Sequence, residues 1–203
     1  MAQVQLRGGP GGPPPGVVAR VQRDRLFRAL AAEASEHGYA ATTVAHVLKR
    51  ARISRRTFYS LFTDKEDCFL AAYQEAMEDV LETVSTGCAA EGDPFERIRR
   101  GARVISERCR DEPEVARLCA VEVLGAGPAG QAARAGSTSR FADMLEPLLI
   151  DLGYDEVSVN IQTRALVGIV NEAIYDRLSR KDVSSLPDLV DDMIAAQLRP
   201  MRP

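Results

Sequence analysis

The sequence is poor in the residues that most often build metal and redox sites. It has no tryptophan, two histidines (His37 and His46) and four cysteines, none of them in a Cys-x-x-Cys pair. A zinc site needs several Cys or His ligands at short, characteristic spacings, so this set predicts no metal site. The scattered cysteines are typical of free thiols in a reducing compartment.

Long apolar runs and a secretory leader are also missing. No stretch approaches the roughly 20 apolar residues that span a membrane, and the N-terminus does not resemble a signal peptide. We therefore expect a cytoplasmic protein without membrane contact. The opening segment RGGPGGPPPG, residues 7–16, has nothing to bury and predicts a disordered tail over residues 1–17.

Apolar residues recur at helical spacing through the rest of the chain. Phe27, Leu30, Ala31 and Ala34 follow the i, i+3, i+4, i+7 pattern of an amphipathic helix. Only 5% of the residues are aromatic, and no segment alternates like a strand. The sequence predicts an all-α protein.

Several residue types mark where these helices begin. Thr43 and Ser54 are predicted N-caps of two short helices. Thr63 to Glu66 reads T-x-x-E, which predicts a capping box at the start of a long fourth helix. The Gly-rich segment 125–136 is expected to be mostly loop.

Charge divides the chain into a basic first third and an acidic remainder. Residues 1–62 hold ten Arg or Lys and three Asp or Glu, a net charge of +7, whereas residues 63–203 carry −10. This distribution is typical of a DNA-facing domain attached to a body that does not bind DNA.

The stretch from Thr42 to Phe69 has the organisation of a helix-turn-helix. Two short helices are joined by a tight connection at residues 51–53, and the second helix of such a pair enters the major groove. Arg55 and Arg56 follow the cap of that helix, where they can read guanine edges. Hydroxyl and ammonium groups around them can hold phosphates. These predicted phosphate ligands are Thr43, Thr57, Tyr59 and Lys65.

The segment TTVAHVLKRARISRRTFYSLFTDKEDCFLAAY resembles the N-terminal domain of the TetR family of repressors. The resemblance covers about residues 18–75 and rests on Thr43, Ser54, Thr57, Phe58, Tyr59, Phe62, Asp64, Lys65 and Glu66. It implies a bacterial homodimer without a cofactor, which binds a palindromic operator and leaves it when a small molecule binds. It also implies a DNA-binding domain at 18–64, a ligand-binding and dimerisation domain at 65–203, and the base and phosphate contacts given above.

One position departs from the family pattern. The family usually has glycine in the turn where this chain has Arg52. If this position needs a positive φ, arginine is costlier there than glycine. Either the turn is reshaped, or Arg52 adds a phosphate contact.

The last two helices are predicted to form the dimer interface, and the apolar body a ligand pocket. Two helices from each subunit would build a four-helix bundle. The predicted interface residues are Leu166, Ile169, Val170, Ile174, Leu189, Val190, Met193 and Ile194. Polar residues in apolar surroundings are candidate ligand contacts. These are Arg103, Glu122, Asn171 and Tyr175.

Two alternatives compete with a ligand-responsive repressor. Residues 125–130, GAGPAG, fit the G-x-G-x-x-G phosphate loop of dinucleotide-dependent enzymes. That loop requires a preceding strand and further βαβ units, which the sequence does not indicate. A DNA-binding activator without a ligand is the other alternative. No group of residues has the spacing of a catalytic site, so we expect a protein that is not an enzyme.

Overall fold

The computed structural model describes residues 14–89 and 91–198. Most of the predicted N-terminal tail lies outside these residues. Its last part does not, because the first helix already begins at Pro15. Proline suits the first turn of a helix, where its missing N–H has no intrahelical partner to lose.

The described residues form α-helices and one 3₁₀ turn, which confirms the all-α prediction. The helices are α1 Pro15–His37, α2 Val44–Ala51, α3 Arg55–Tyr59, α4 Lys65–Ala89, α5 Pro94–Asp111, α6 Pro113–Ala120, α7 Gly127–Asp151, α8 Glu156–Ser179 and α9 Leu186–Gln197, and the 3₁₀ turn is Glu122–Gly125. None of these helices is long and apolar enough to cross a bilayer.

The GAGPAG segment is not a phosphate loop. The residues before it form a 3₁₀ turn instead of a strand, and α7 begins within it at Gly127. The expected loop over 125–136 is also wrong, because helix occupies most of it. Gly130 is needed for packing: a Cβ there would lie 2.6 Å from the carbonyl oxygen of Val123. The dinucleotide alternative is therefore excluded.

Side-chain caps start the short helices as predicted. The N–H of His46 donates to Thr43 Oγ1 (3.3 Å), and the N–H of Thr57 donates to Ser54 Oγ (3.1 Å). These bonds satisfy backbone donors that have no partner inside the helix.

The capping box predicted at the start of α4 is wrong by one residue. The N–H of Asp67 donates to Asp64 Oδ1 (2.8 Å), and Asp67 in turn accepts from the N–H of Thr63 (2.8 Å). Aspartate competes with threonine for the capping position, and here Asp64 occupies it.

Two hydrophobic clusters meet along the middle of the chain. The first joins the head, which we define as α1 to α3, to α4, α6 and the 3₁₀ turn through residues such as Phe69, Tyr73 and Leu118. The second joins α4, through Val84 and Cys88, to the body, which we define as α5 to α9 with the 3₁₀ turn. Val80 and Phe141 pack against both clusters. The core is therefore continuous across the predicted boundary at residue 64.

Candidate nucleic-acid interface

α2 and α3 present one face to the core and the other to solvent. On the inner face of α2, Val47, Leu48 and Ala51 are buried, and on α3 Phe58 is fully buried. The Phe58 ring packs against Phe62, with 5.7 Å between ring centroids. Because these apolar contacts fix the inner face of α3, the opposite face is held outward.

The outer face of α3 carries two arginines and a tyrosine. Arg55 and Arg56 come directly after the cap and are exposed. Neither makes an ion pair or hydrogen bond with the residues that the structure describes. Tyr59 is 54% exposed, with its ring edge against Phe58. This face therefore offers free donors to a ligand.

The nearby acidic side chains do not neutralise this face, because Arg50 binds them. Its Nε donates to Glu33 (2.7 Å) and its Nη2 to Glu36 (2.6 Å). The hydrogen bond from Arg50 holds the pKa of Glu36 below its usual value. The positive charge of α3 is thus left uncompensated, as binding to a polyanion requires.

Arg52 occupies the turn in the left-handed conformation, with φ 54° and ψ 46°. The turn therefore keeps the geometry that glycine would favour, and the arginine backbone bears the strain. Arg25 of α1 holds this turn, since its Nη2 donates to the carbonyl oxygen of Ala51 at 2.5 Å. Sequence reasoning missed Arg25, which lies 26 residues away on another helix.

The four predicted phosphate ligands lie in different surroundings. Thr43 is exposed at the start of α2 and Tyr59 on α3, whereas Thr57 is half-buried with its hydroxyl 2.9 Å from Ser54 Oγ. Lys65 Nζ donates to the carbonyl oxygens of Tyr39 (2.8 Å) and Thr42 (2.9 Å), and burial lowers its pKa. Two of its three N–H groups are therefore used inside the protein.

The loop before α2 is also tied to the body. The N–H of Tyr39 donates to Glu122 Oε2 at 2.7 Å. Glu122 is buried and forms an ion pair with Arg117 Nε at 3.1 Å. Arg117 also donates to the carbonyl oxygen of Leu178 at the end of α8 (3.0 Å). Helix α6 and the 3₁₀ turn thus connect the head to the body.

The body contains two small cavities that share a wall. The first, about 80 Å³, lies between α4, α5, α6, α7 and α8 and is mostly apolar. The second, about 60 Å³, lies between α4, α5, α7, α8 and α9, and Ile105, Phe141 and Asn171 line both.

Only one of the four predicted ligand contacts reaches these cavities. Asn171 lines both, whereas Glu122 is committed to Arg117 and Tyr39. Arg103 is exposed, 3.9 Å from Asp191, and Tyr175 is 37% exposed. Sequence pattern missed the cavity-lining Tyr73, because its apolar spacing on α4 is that of an ordinary core residue.

The predicted dimer residues divide between the surface and the protomer's own core. Leu166, Ile174, Val190 and Ile194 are each at most 4% exposed, so they offer no surface to a second chain. The other four, Ile169, Val170, Leu189 and Met193, are partly exposed. The apolar residues that recur at helical spacing on α8 and α9 therefore lie mainly on the inward sides of these helices.

Known proteins resemble this chain in sequence near its N-terminus and in fold over most of its length. The sequence profile of the bacterial regulatory proteins of the TetR family matches residues 26–72, which span most of the head and the first part of α4. No curated protein sequence gives a significant match.

The fold extends the likeness to nearly the whole chain. The fatty acid degradation regulator FadR from Bacillus halodurans is 19% identical with a TM-score of 0.78, covering 88% of this chain and 97% of its own. FadR from Bacillus subtilis, in complex with stearoyl-CoA, is 16% identical with a TM-score of 0.75, covering 87% and 99%.

A third solved structure agrees with these two. The regulatory protein TetR from Rhodobacter sphaeroides is 17% identical with a TM-score of 0.72, covering 87% of this chain and 98% of its own. The similar structures are those of transcriptional regulators, not of enzymes. The sequence profile of the TetR family thus matches residues 26–72, and the described residues share the fold of solved transcriptional regulators over most of the chain.

Proposed function

We propose that this protein is a ligand-responsive repressor, which binds a palindromic operator as a homodimer and leaves it when a small molecule enters the body. One observation carries the proposal: α6 lines the first cavity with Val115, Ala116 and Cys119, and the 3₁₀ turn that follows it holds the loop before α2. α6 and the turn directly after it thus connect the cavity to the loop that leads into the DNA-reading helices.

On the DNA side, Arg55 and Arg56 read bases, and the surrounding groups hold phosphates. The exposure of both arginines, without internal partners, supports this division. Thr43, Arg52, Thr57 and Tyr59 flank them and supply hydroxyl and guanidinium donors to the backbone of the duplex. Lys65 contributes only the N–H that it does not use inside the protein.

On the ligand side, the cavity between α4 and α8 receives an organic molecule. The lining is mostly apolar with a few polar groups, which is typical of small-molecule sites. The Bacillus subtilis FadR structure holds stearoyl-CoA, and this supports a small-molecule ligand for the present chain too.

The signal passes through α6. A molecule wedged between Val115 and Phe141 displaces α6, and the displacement reaches Tyr39 through Glu122. Because Tyr39 lies five residues before the first residue of α2, the spacing between the two reading helices of the dimer then no longer fits the operator. Binding of ligand and operator are therefore antagonistic.

The dimer interface lies on the outer side of α8. Val157, Ile161 and Tyr175 are 74%, 63% and 37% exposed, and the exposed Gly168 lies between them on the same side. The partly exposed Ile169, Leu189 and Met193 extend this apolar surface towards α9. Two helices from each protomer then form a four-helix bundle, and light scattering at micromolar concentration should give the mass of a dimer.

Selection of bound DNA from a random pool tests the function. We expect a palindromic consensus with half-sites about one helical turn apart. Arg55→Ala and Arg56→Ala should each weaken binding to it by about 1–3 kcal/mol and relax the base preference. Arg140→Ala, an exposed arginine on α7, is the matched control.

Two outcomes would contradict the proposal. Unchanged affinity and base preference in both arginine variants would remove α3 as the reader. Operator binding that no candidate ligand weakens would favour the activator without a ligand.

A further inference from the structure

Three polar side chains at the mouth of the first cavity lack partners. Arg134 and Thr138 lie four residues apart on one face of α7, and Asn171 faces them from α8. All three line both the first cavity and the outer groove between α7 and α8. None of them makes a hydrogen bond or ion pair with the residues that the structure describes.

Arg134 has no counter-ion among the described residues, whereas the other arginine of the cavity lining, Arg108, is neutralised. Arg108 pairs with Asp79 and lies 3.8 Å from Glu112, the only acidic residue of the cavity lining among the described residues. The lining therefore carries one excess positive charge, and it belongs to Arg134. A half-buried guanidinium without a counter-ion is a ready anion site.

The charge of Arg134 also reaches into the cavity. Burial raises the pKa of the Tyr73 hydroxyl, while a hydrogen bond with Ser137 and the positive charge of Arg134 oppose this rise. The guanidinium is thus close enough to act on a group of the cavity wall. Most of the remaining lining is apolar, including Met77, Val80 and Phe141.

We propose that the ligand of this cavity is an amphipathic monoanion: a hydrocarbon body with one carboxylate, or an equivalent single anionic group, at its end. The anion binds Arg134, with hydrogen bonds from the Thr138 hydroxyl and the Asn171 amide, and the hydrocarbon body enters the apolar interior. This inference deepens the proposed function and rests on it.

The outer groove limits how much negative charge the ligand can carry. Asp143, Glu146 and Glu172 line this groove, where they outnumber its one other arginine, Arg164, and none of them lies within ion-pair distance of Arg134. They repel a polyanionic head group that extends outward, whereas one anionic group held at Arg134 stays on the inner side of them. The surroundings therefore favour a single charge.

The cavity volumes limit the hydrocarbon body in the same way. A cavity of about 150 Å³ accommodates benzene, whereas the first cavity here has about 80 Å³ and the second about 60 Å³. Because even the two cavities together are smaller than that, a hydrocarbon chain requires Phe141 and Ile105, which line both, to move aside and widen the space. Helix α6, which connects the cavity to the head, lines the same cavity as Phe141.

Calorimetric titration with a matched series tests the proposal. The probes are hexanoate, decanoate, 1-decanol and decylamine, which share a hydrocarbon chain and differ in charge or length. We expect wild-type protein to bind decanoate at least about tenfold more tightly than 1-decanol, as a charged hydrogen-bonded pair provides. Decylamine should bind more weakly still.

Arg134→Gln identifies the responsible residue, with Arg140→Gln on the same helix as the control. Arg134→Gln should lose about tenfold or more in decanoate affinity and bind 1-decanol as before, whereas Arg140→Gln should behave as wild type. Equal binding of decanoate and 1-decanol, failure of both carboxylates to bind, or an unaffected Arg134→Gln would each overturn the proposal.

A parallel measurement separates this inference from the proposed function. Arg134→Gln should bind the selected operator with wild-type affinity, because Arg134 lies on α7, outside the head, and makes no hydrogen bond or ion pair with the described residues. If a neutral compound releases the operator while decanoate does not bind, the ligand class is overturned and the repressor stands. If no DNA is selected at all, the repressor itself falls.

Discussion

The head and the body use their polar side chains in opposite ways. In the head, Arg50 binds Glu33 and Glu36, and the free cations Arg55 and Arg56 are exposed to solvent. In the body, the partnerless groups Arg134 and Asn171 face a cavity. The first arrangement suits a large external polyanion, and the second a small molecule that is taken inside. Free polar groups thus lie on both proposed binding surfaces, one outside and one inside.

The comparison is tested most severely at Glu122, where head and body join. Glu122→Ala removes the acceptor of the Tyr39 N–H and leaves Arg117 without its counter-ion. Because this pair is largely buried, we expect the free energy of unfolding to fall by about 3 kcal/mol in urea denaturation. The control is Glu114→Ala, at an exposed glutamate of α6, which should change the free energy of unfolding little. Equal stability of the two variants would mean that the contacts of Glu122 with Tyr39 and Arg117 do not stabilise the fold.

The packing of the body can be probed with two glycines of α7. A Cβ at Gly130 would lie 2.6 Å from the Val123 carbonyl oxygen, whereas a Cβ at Gly136 would meet nothing within 4 Å. We expect Gly130→Ala to cost about 1–3 kcal/mol of unfolding free energy through overpacking. Gly136→Ala should instead gain about 0.5–1 kcal/mol, because alanine favours helix. Shifts of the same sign in thermal or urea unfolding would contradict this account of Gly130.

Arg52 tests whether the head gives up stability for binding. Arg52→Gly relieves the left-handed strain and should raise the free energy of unfolding by about 1 kcal/mol. The same change removes a cation, so operator binding should weaken and its salt slope should fall by about one. Arg52→Lys keeps both charge and strain and should resemble wild type. A glycine variant that binds as tightly as wild type would remove Arg52 from the phosphate contacts.

Tyr59 gives the smallest expected effect. Its hydroxyl has no partner among the described residues, so Tyr59→Phe should leave unfolding unchanged. Loss of one phosphate contact should weaken binding by about 0.5–1.5 kcal/mol on every DNA sequence alike. Fluorescence anisotropy with the operator and with random DNA measures both affinities. Altered sequence preference in this variant would show that Tyr59 reads bases.

The head could be predicted from the sequence because its determinants are local. Thr43 and Ser54 cap helices within three residues of their own position, and the family pattern is a contiguous stretch. The partner of the Arg52 turn, Arg25, could not be predicted, because no spacing along the chain encodes a contact between α1 and the end of α2.

The body was harder because its features arise between distant segments. The apolar stripe of α8 marked mainly the inward side of this helix, since core and interface share the same spacing. Glu122 interrupts an apolar run and suggested a ligand contact, yet its partner is a backbone N–H 83 residues away. Arg134 gave no signal in the sequence at all, because its lack of a counter-ion emerges only when α7 and α8 are packed together.

The link through Tyr39 is made by backbone atoms. Glu122 accepts from its N–H and Lys65 donates to its carbonyl oxygen, so these two hydrogen bonds between body and head do not need the tyrosine side chain. Alanine at position 39 would therefore remove the ring contacts with Phe69 and Lys65 but leave both hydrogen bonds possible. Proline at position 39 would remove the hydrogen bond to Glu122, because proline has no backbone N–H to donate.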